Sequence, residues 1–278
     1  GHDKQDTGLI TMHQNPPADT KLGTNSYMCE KPVRMETCWV KNLKRSIISF
    51  GGKQWGVNEF RISDCIIQCN NTGSGAHKTL ICGYCGSSGN FPGGDKWYGG
   101  ILDTYVVNST IYNTCPADQT KTSAYFIRFS NSSNAQPKKV FGNSRNFLEY
   151  TIKDCTIART FPKKDFGNNL PNTQNGQKLW CHIENTLFFD IMRLEKFIQS
   201  QWYMTTPNNV LFCSPNASYN SGDGTKKDKL GNFYSLNEDP GFTEATFPEL
   251  DLNAANGGIN LKATSGTLAP TIGDPRWL

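Results

Sequence analysis

Three acids, Glu59, Asp103 and Glu149, each stand five places before an Asp or Asn (Asp64, Asn108 and Asp154), and Trp180 stands in the same relation to Asn185. Three places before those same residues stand Arg61, Tyr105, Thr151 and His182. If the four segments lie side by side, the chain carries a row of carboxylates next to a row mixing a guanidinium, a phenol and an imidazole. Like charges opposite one another on neighbouring strands are unfavourable, so the acidic row needs a nearby base, solvent or a cation. A hard cation such as Ca²⁺ takes carboxylate oxygens in flexible geometry, which makes Glu59, Asp103 and Glu149 the metal-ligating candidates. β-Elimination from a uronic acid needs a base for the proton α to the carboxylate and a cation to neutralise the acid, and Arg61 or His182 could be that base. Arg128, on another strand, is a further catalytic candidate of this kind. The alternative at each position is a solvated polar strand face.

Hydrolysis would instead employ two carboxylates at a set separation, for which Asp103 and Glu149 are the available pair. Sugar rings pack on aromatic faces while their hydroxyls seek polar partners. Tyr105, Trp180 and the Trp97-Tyr98 pair are therefore the substrate-binding candidates, with Trp55 and Trp202-Tyr203 behind them; each also fits packing beneath a loop. The sequence has no nucleophile elbow, P-loop or dinucleotide fingerprint, which sets esterase, nucleotidase and dehydrogenase readings aside.

What must position these rows is a repeated strand pair. In Phe60-Arg-Ile-Ser-Asp-Cys-Ile-Ile-Gln-Cys69 the apolar residues alternate, pause over Ser63-Asp64, then resume at Cys65, Ile67 and Cys69. Alternation with period two places one face inward, and Asp or Asn tolerates the left-handed backbone of a tight corner. The pattern returns at Thr104–Ile111, Tyr150–Ile157 and Cys181–Phe188, more weakly at Pro207–Phe212, with a degenerate copy around Asn42. Corners at Asp64, Asn108, Asp154, Asn185 and Asn209 are 44, 46, 31 and 24 residues apart. Such uneven spacing excludes fixed-length repeats. It fits an all-β, single-stranded, right-handed parallel β-helix, a solenoid with long loop insertions whose copies stack about 4.8 Å apart. Further strands at Thr79–Cys82 and Tyr125–Phe129 would give three strands per coil, and polar loops at 83–100, 130–146 and 160–177 would project from it. Stacked corner amides should bond to one another along the coil.

Residues 1–35 are expected to form an N-terminal extension or cap, and 36–278 a single β-helix domain with a C-terminal capping segment. Trp277 and Phe242 are the candidates to cover its last layer. Net charge is +4 and charged residues are 19% of the chain, with lysines in short runs such as Lys138-Lys139, Lys163-Lys164 and Lys226-Lys227; no nucleic-acid footprint results. No window approaches the roughly 20 apolar residues of a membrane helix. Of the ten cysteines, Cys65 and Cys155 share the inward position of Ser109, Thr186 and Val210. Cys69 and Cys181 also fall inward, so most thiols read as reduced packing residues. Cys82-Gly-Tyr-Cys85 lacks the second ligand pair of a zinc site.

The corner repeats, Asp239-Pro-Gly-Phe242 and the terminal Gly273-Asp-Pro-Arg-Trp277 together resemble the secreted or surface β-helix proteins of gut Bacteroidetes, whose architecture is similar to that of pectate lyases. The resemblance covers most of residues 40–278. It implies a secreted, periplasmic or outer-membrane surface location, lipoprotein anchoring through a removed N-terminal signal, and polysaccharide binding or processing. It also implies calcium use by analogy with lyases of acidic glycans. The expected function is a glycan-interacting β-helix protein; the alternatives are a calcium-dependent lyase or glycoside hydrolase of acidic glycans, and a structural, adhesin-like module.

Overall fold

The computed structural model describes residues 9–12, 27–29, 31–43, 46–50, 55–69, 79–82, 89–90, 96–97, 100–113, 125–128, 147–158, 167–168, 178–189, 203–204, 208–213, 233–236 and 272–277. This part is all-β. Its main sheet contains a curled, parallel path of nine strands: Tyr27–Cys29, Trp55–Ser63, Gly100–Val107, Phe147–Lys153, Lys178–Phe189, Thr156–Ala158, Thr110–Asn113, Ile66–Cys69 and Trp39–Leu43. The path doubles back at Lys178–Phe189, which runs through its own corner and pairs with strands on both sides of it. A second parallel sheet joins Ile10–Met12, Ile48–Phe50, Thr79–Cys82, Tyr125–Arg128 and Gly167–Asn168. Curled parallel pairing of successive copies is compatible with a solenoid.

The strand before each corner is termed leading and the strand after it trailing. Leading strands align Met35, Ile62, Val106, Ile152 and Ile183 into one inward column. Trailing strands align Ile67, Ile111, Ile157 and Phe188, all fully buried, into another. Fully burying one such side chain is worth about 1.5–3 kcal/mol.

The corners have a local chemical cause. Asp64, Asn108, Asp154 and Asn185 sit at φ of 55°, 45°, 52° and 44°, the left-handed region that Asp and Asn tolerate better than most side chains. The turn brings the next side chain back toward the carbonyl two residues earlier. Cys65 Sγ donates to Ser63 O at 3.1 Å, Ser109 Oγ to Val107 O at 2.6 Å, Cys155 Sγ to Lys153 O at 3.0 Å and Thr186 Oγ1 to Glu184 O at 2.8 Å. Four members of the column are thus small residues with one donor, while Val210, paired with Thr186, has none. Amide groups link the corners in two places: Asn108 Nδ2 donates to Asp64 Oδ1 at 3.4 Å, and Asn185 Nδ2 to Asp154 Oδ1 at 3.0 Å.

Three expectations change. The earliest corner is Thr37, not Asn42: Val33–Glu36 pairs with Phe60–Ser63, Thr37 has φ 52°, and Cys38 Sγ donates to Glu36 O at 3.2 Å. Asn42, at φ 59°, lies where the trailing strand changes register between Val40 and Leu43, and its N–H donates to Gln68 Oε1 at 3.0 Å. Second, the trailing strand Ile66–Cys69 is buried on both faces, not one. Third, Gly273–Arg276 crosses the corners from Asn185 back to Asp64 and lies against the outer side of the trailing strands at Thr110 and Thr156. Its hydrogen bonds therefore run along the stack instead of over one end of it; Phe242 lies outside the described residues.

The outward rows of the leading strands as a candidate site

The leading strands place the candidate residues in the alignment their spacing implies. Glu59 pairs with Asp103, Asp103 with Glu149 and Glu149 with Trp180; the next outward row runs Arg34, Arg61, Tyr105, Thr151 and His182. Glu59, Asp103, Glu149, Arg61, Tyr105, Thr151 and His182 are all half-buried on this face, as the alternation with buried Phe60, Ile62, Thr104, Val106, Tyr150, Ile152 and Ile183 requires. Residues two apart on one strand share a face, so Arg61 reaches its own strand's acid: Nε donates to Glu59 Oε1 at 3.1 Å. His182 reaches diagonally, its Nε2 3.3 Å from Glu149 Oε1, a contact that is an ion pair only when the imidazole is protonated.

The guanidinium of Arg61 also lies over the Tyr105 ring, 4.6 Å from its centroid. This cation–π contact is worth about 0.5–1 kcal/mol at a partly exposed site. Burial first, then the carboxylates of Asp103, Glu149 and Glu59, push the Tyr105 phenol above its ordinary pKa, while Arg61 acts the other way. Tyr105 consequently stays a neutral hydroxyl able to donate and accept. At the rim nearest the corner, Arg34 and Glu36 are 3.8 Å apart and Lys153 and Glu184 3.1 Å apart.

Two acids of the row thus have a basic neighbour: Glu59 is engaged by Arg61 and Glu149 by His182. Among the described residues no three His, Cys, Asp or Glu side chains are grouped so as to hold a metal ion. The Arg61 guanidinium spends one of its donors on Glu59 and keeps others for a further acceptor.

The remaining candidates are separate from this cluster. Trp97 lies in a short antiparallel pairing, Lys96–Trp97 with Gly89–Asn90, inside the glycine-rich loop. Arg128 ends a strand of the second sheet and pairs with Cys82 and Asn168. The side chains of Trp97, Trp180 and Arg128 are not among those described, and Tyr98 lies outside the described residues altogether. Arg34 was absent from the sequence candidates; its signal was a position three before a corner, hidden because that corner is a threonine. Cys29, Cys38, Cys65, Cys69 and Cys155 are free thiols. Burial pushes the Cys65 thiol up to about 11 and raises those of Cys69 and Cys155 further, which makes these three poor nucleophiles at neutral pH. Comparison with family models, with curated proteins and with solved structures gave no match.

Proposed function

We propose that the chain is a right-handed parallel β-helix of the secreted or surface type and that the outward rows of its leading strands bind a polysaccharide. The observation that carries this reading is the Arg61–Tyr105 stack set among Glu59, Asp103, Glu149 and His182. Planar polar groups recur there at strand spacing, about 4.8 Å, on a half-exposed, comparatively flat face. Carboxylates and guanidinium accept or donate two parallel hydrogen bonds, which suits the adjacent hydroxyls of a sugar, and the neutral Tyr105 hydroxyl adds a group of either sense. The ion pairs are weak enough at this exposure to exchange partners with a ligand. Trp97, on the short strand Lys96–Trp97, is the second aromatic platform of the proposal. Display outside the cell belongs to the same reading.

Binding is preferred over turnover because planar polar groups at strand spacing account for recognition of a sugar without calling on a proton acceptor or a cation. The test is incubation of the full chain with uronic-acid and neutral polysaccharides, with calcium and with chelator, followed by mass analysis of products and of retained glycan. Selective retention of one glycan under both conditions, without products, is expected. Unsaturated oligosaccharides formed only with calcium would replace the binding reading by the lyase. Absence of both products and retention would leave the structural module.

A further inference from the structure

Outside the outward rows, the densest directional chemistry lies where Gly273–Arg276 meets the corners. The Gly273 N–H donates to the Asn185 carbonyl at 3.1 Å. At φ 129° a Cβ on this residue would fall 2.8 Å from Thr156 Oγ1, so the backbone conformation and the available space both demand glycine. The Asp274 N–H donates to Thr156 Oγ1 at 3.0 Å, and Thr110 Oγ1 donates to Asp274 Oδ2 at 2.7 Å. Arg276 closes on the same carboxylate through its backbone N–H at 3.1 Å and its Nε at 2.9 Å, with Nη2 also on Oδ2. Its outer edge reads backbone: Nη1 donates to Asp64 O at 3.1 Å, and Nη2 to Cys65 O and Asn108 O, both at 2.8 Å. Pro275 between them is exposed and has no N–H to satisfy.

Apart from the Asp274–Arg276 pair, every partner of these residues lies 88 to 212 positions earlier in the chain, and 35 residues separate Leu236 from Ile272. Among the described residues the segment is held by these distant partners. Each position has a stated requirement: no Cβ, a carboxylate for buried Thr110 beside a backbone N–H for buried Thr156, and a fork of donors for three corner carbonyls. We propose that the corner line is a peptide-binding groove specific for a Gly-Asp-x-Arg segment that turns into a 3-10 helix at Pro275–Trp277. Its resident ligand is the chain's own terminus, and the same segment supplied in trans binds there as well. The groove is distinct from the outward rows, on the other side of the corners.

The test uses the full chain with a protease site engineered between residues 237 and 271, cut after folding. The cut protein is expected to retain its terminal segment on gel filtration and to exchange it for a fluorescent peptide of residues 271–278. Peptides carrying Gly273→Ala or Arg276→Ala should bind at least tenfold more weakly, and uncut protein should take up at least tenfold less peptide. Equal binding of the substituted peptides, or loss of the segment without uptake, overturns the proposal. A second measurement needs no cutting: the full chain carrying Gly273→Ala, whose own terminus no longer fits, should bind the wild-type peptide at least tenfold more tightly than the unsubstituted chain does. Equal peptide binding by the two full chains contradicts the groove.

Discussion

Arg61 and Arg276 each pair with an acid two residues earlier, Glu59 and Asp274. Strand geometry brings the first pair together on an open face, with the Arg61 and Glu59 side chains 34% and 23% exposed. The second pair lies beneath the corners: the Asp274 side chain is 0% exposed and accepts from buried Thr110 as well. The same two charges therefore have different consequences. On the outward face water screens the pair, its net worth is about 0–1 kcal/mol, and it can be exchanged for a ligand. Under the corners a carboxylate whose cationic partner among the described residues is Arg276 is held in one arrangement, and removing one partner strands the other. Burial, more than residue type, separates a surface that can bind from a joint that must hold.

The largest expected effect follows from this asymmetry. Arg276→Ala leaves the buried Asp274 carboxylate without its cation and should lower the unfolding free energy by about 3–5 kcal/mol. Asp274→Ala leaves an arginine that already reaches solvent, so its loss should be smaller. Urea denaturation of both variants checks the order, and a reversed order would break the comparison.

The corner thiols give the next effect. Their folded pKa values are raised, so the stability they contribute is complete below the unfolded thiol value near 9.0 and is lost as pH rises through about 11 for Cys65, continuing higher for Cys69 and Cys155. Denaturation curves from pH 7 to 11 should show flat stability that declines above pH 9. Cys65→Ser, which copies Ser109, should change stability at pH 7 by less than about 1 kcal/mol and flatten part of that decline.

A smaller effect of opposite sign is expected at Thr37, a β-branched residue at φ 52°. Thr37→Asn should stabilise the chain by about 1 kcal/mol, readable as a raised melting temperature. Smallest of all, Arg61→Ala should shift the unfolding free energy by less than about 1 kcal/mol, because its pair is half-exposed.

The row alignment was legible because strand periodicity is local: the copies around Asp64, Asn108, Asp154 and Asn185 announce a corner by residue type, and counting back from it orders Glu59, Asp103 and Glu149 as the structure has them. Thr37 was not legible, since a β-branched residue is among the poorest signals for a left-handed turn. Nor was the double burial of the trailing strands. Thr110 and Thr156 look like solvent-facing residues until Asp274, 164 and 118 positions away, supplies partners for their hydroxyls, and Gln68 until the Asn42 N–H does so for its side-chain carbonyl. The sequence also left open which agent neutralises the acids. That depended on side-chain reach, with Arg61 turning along its strand and His182 reaching across to the next.

The most direct test of the account is the affinity of Arg61→Ala and of Tyr105→Ala for the glycan that the full chain retains, measured beside their unfolding midpoints in urea. The outward rows as the binding face require at least tenfold weaker binding in both variants, with the Arg61→Ala midpoint close to wild type. Retention undiminished in both variants would move the binding face elsewhere and contradict the account.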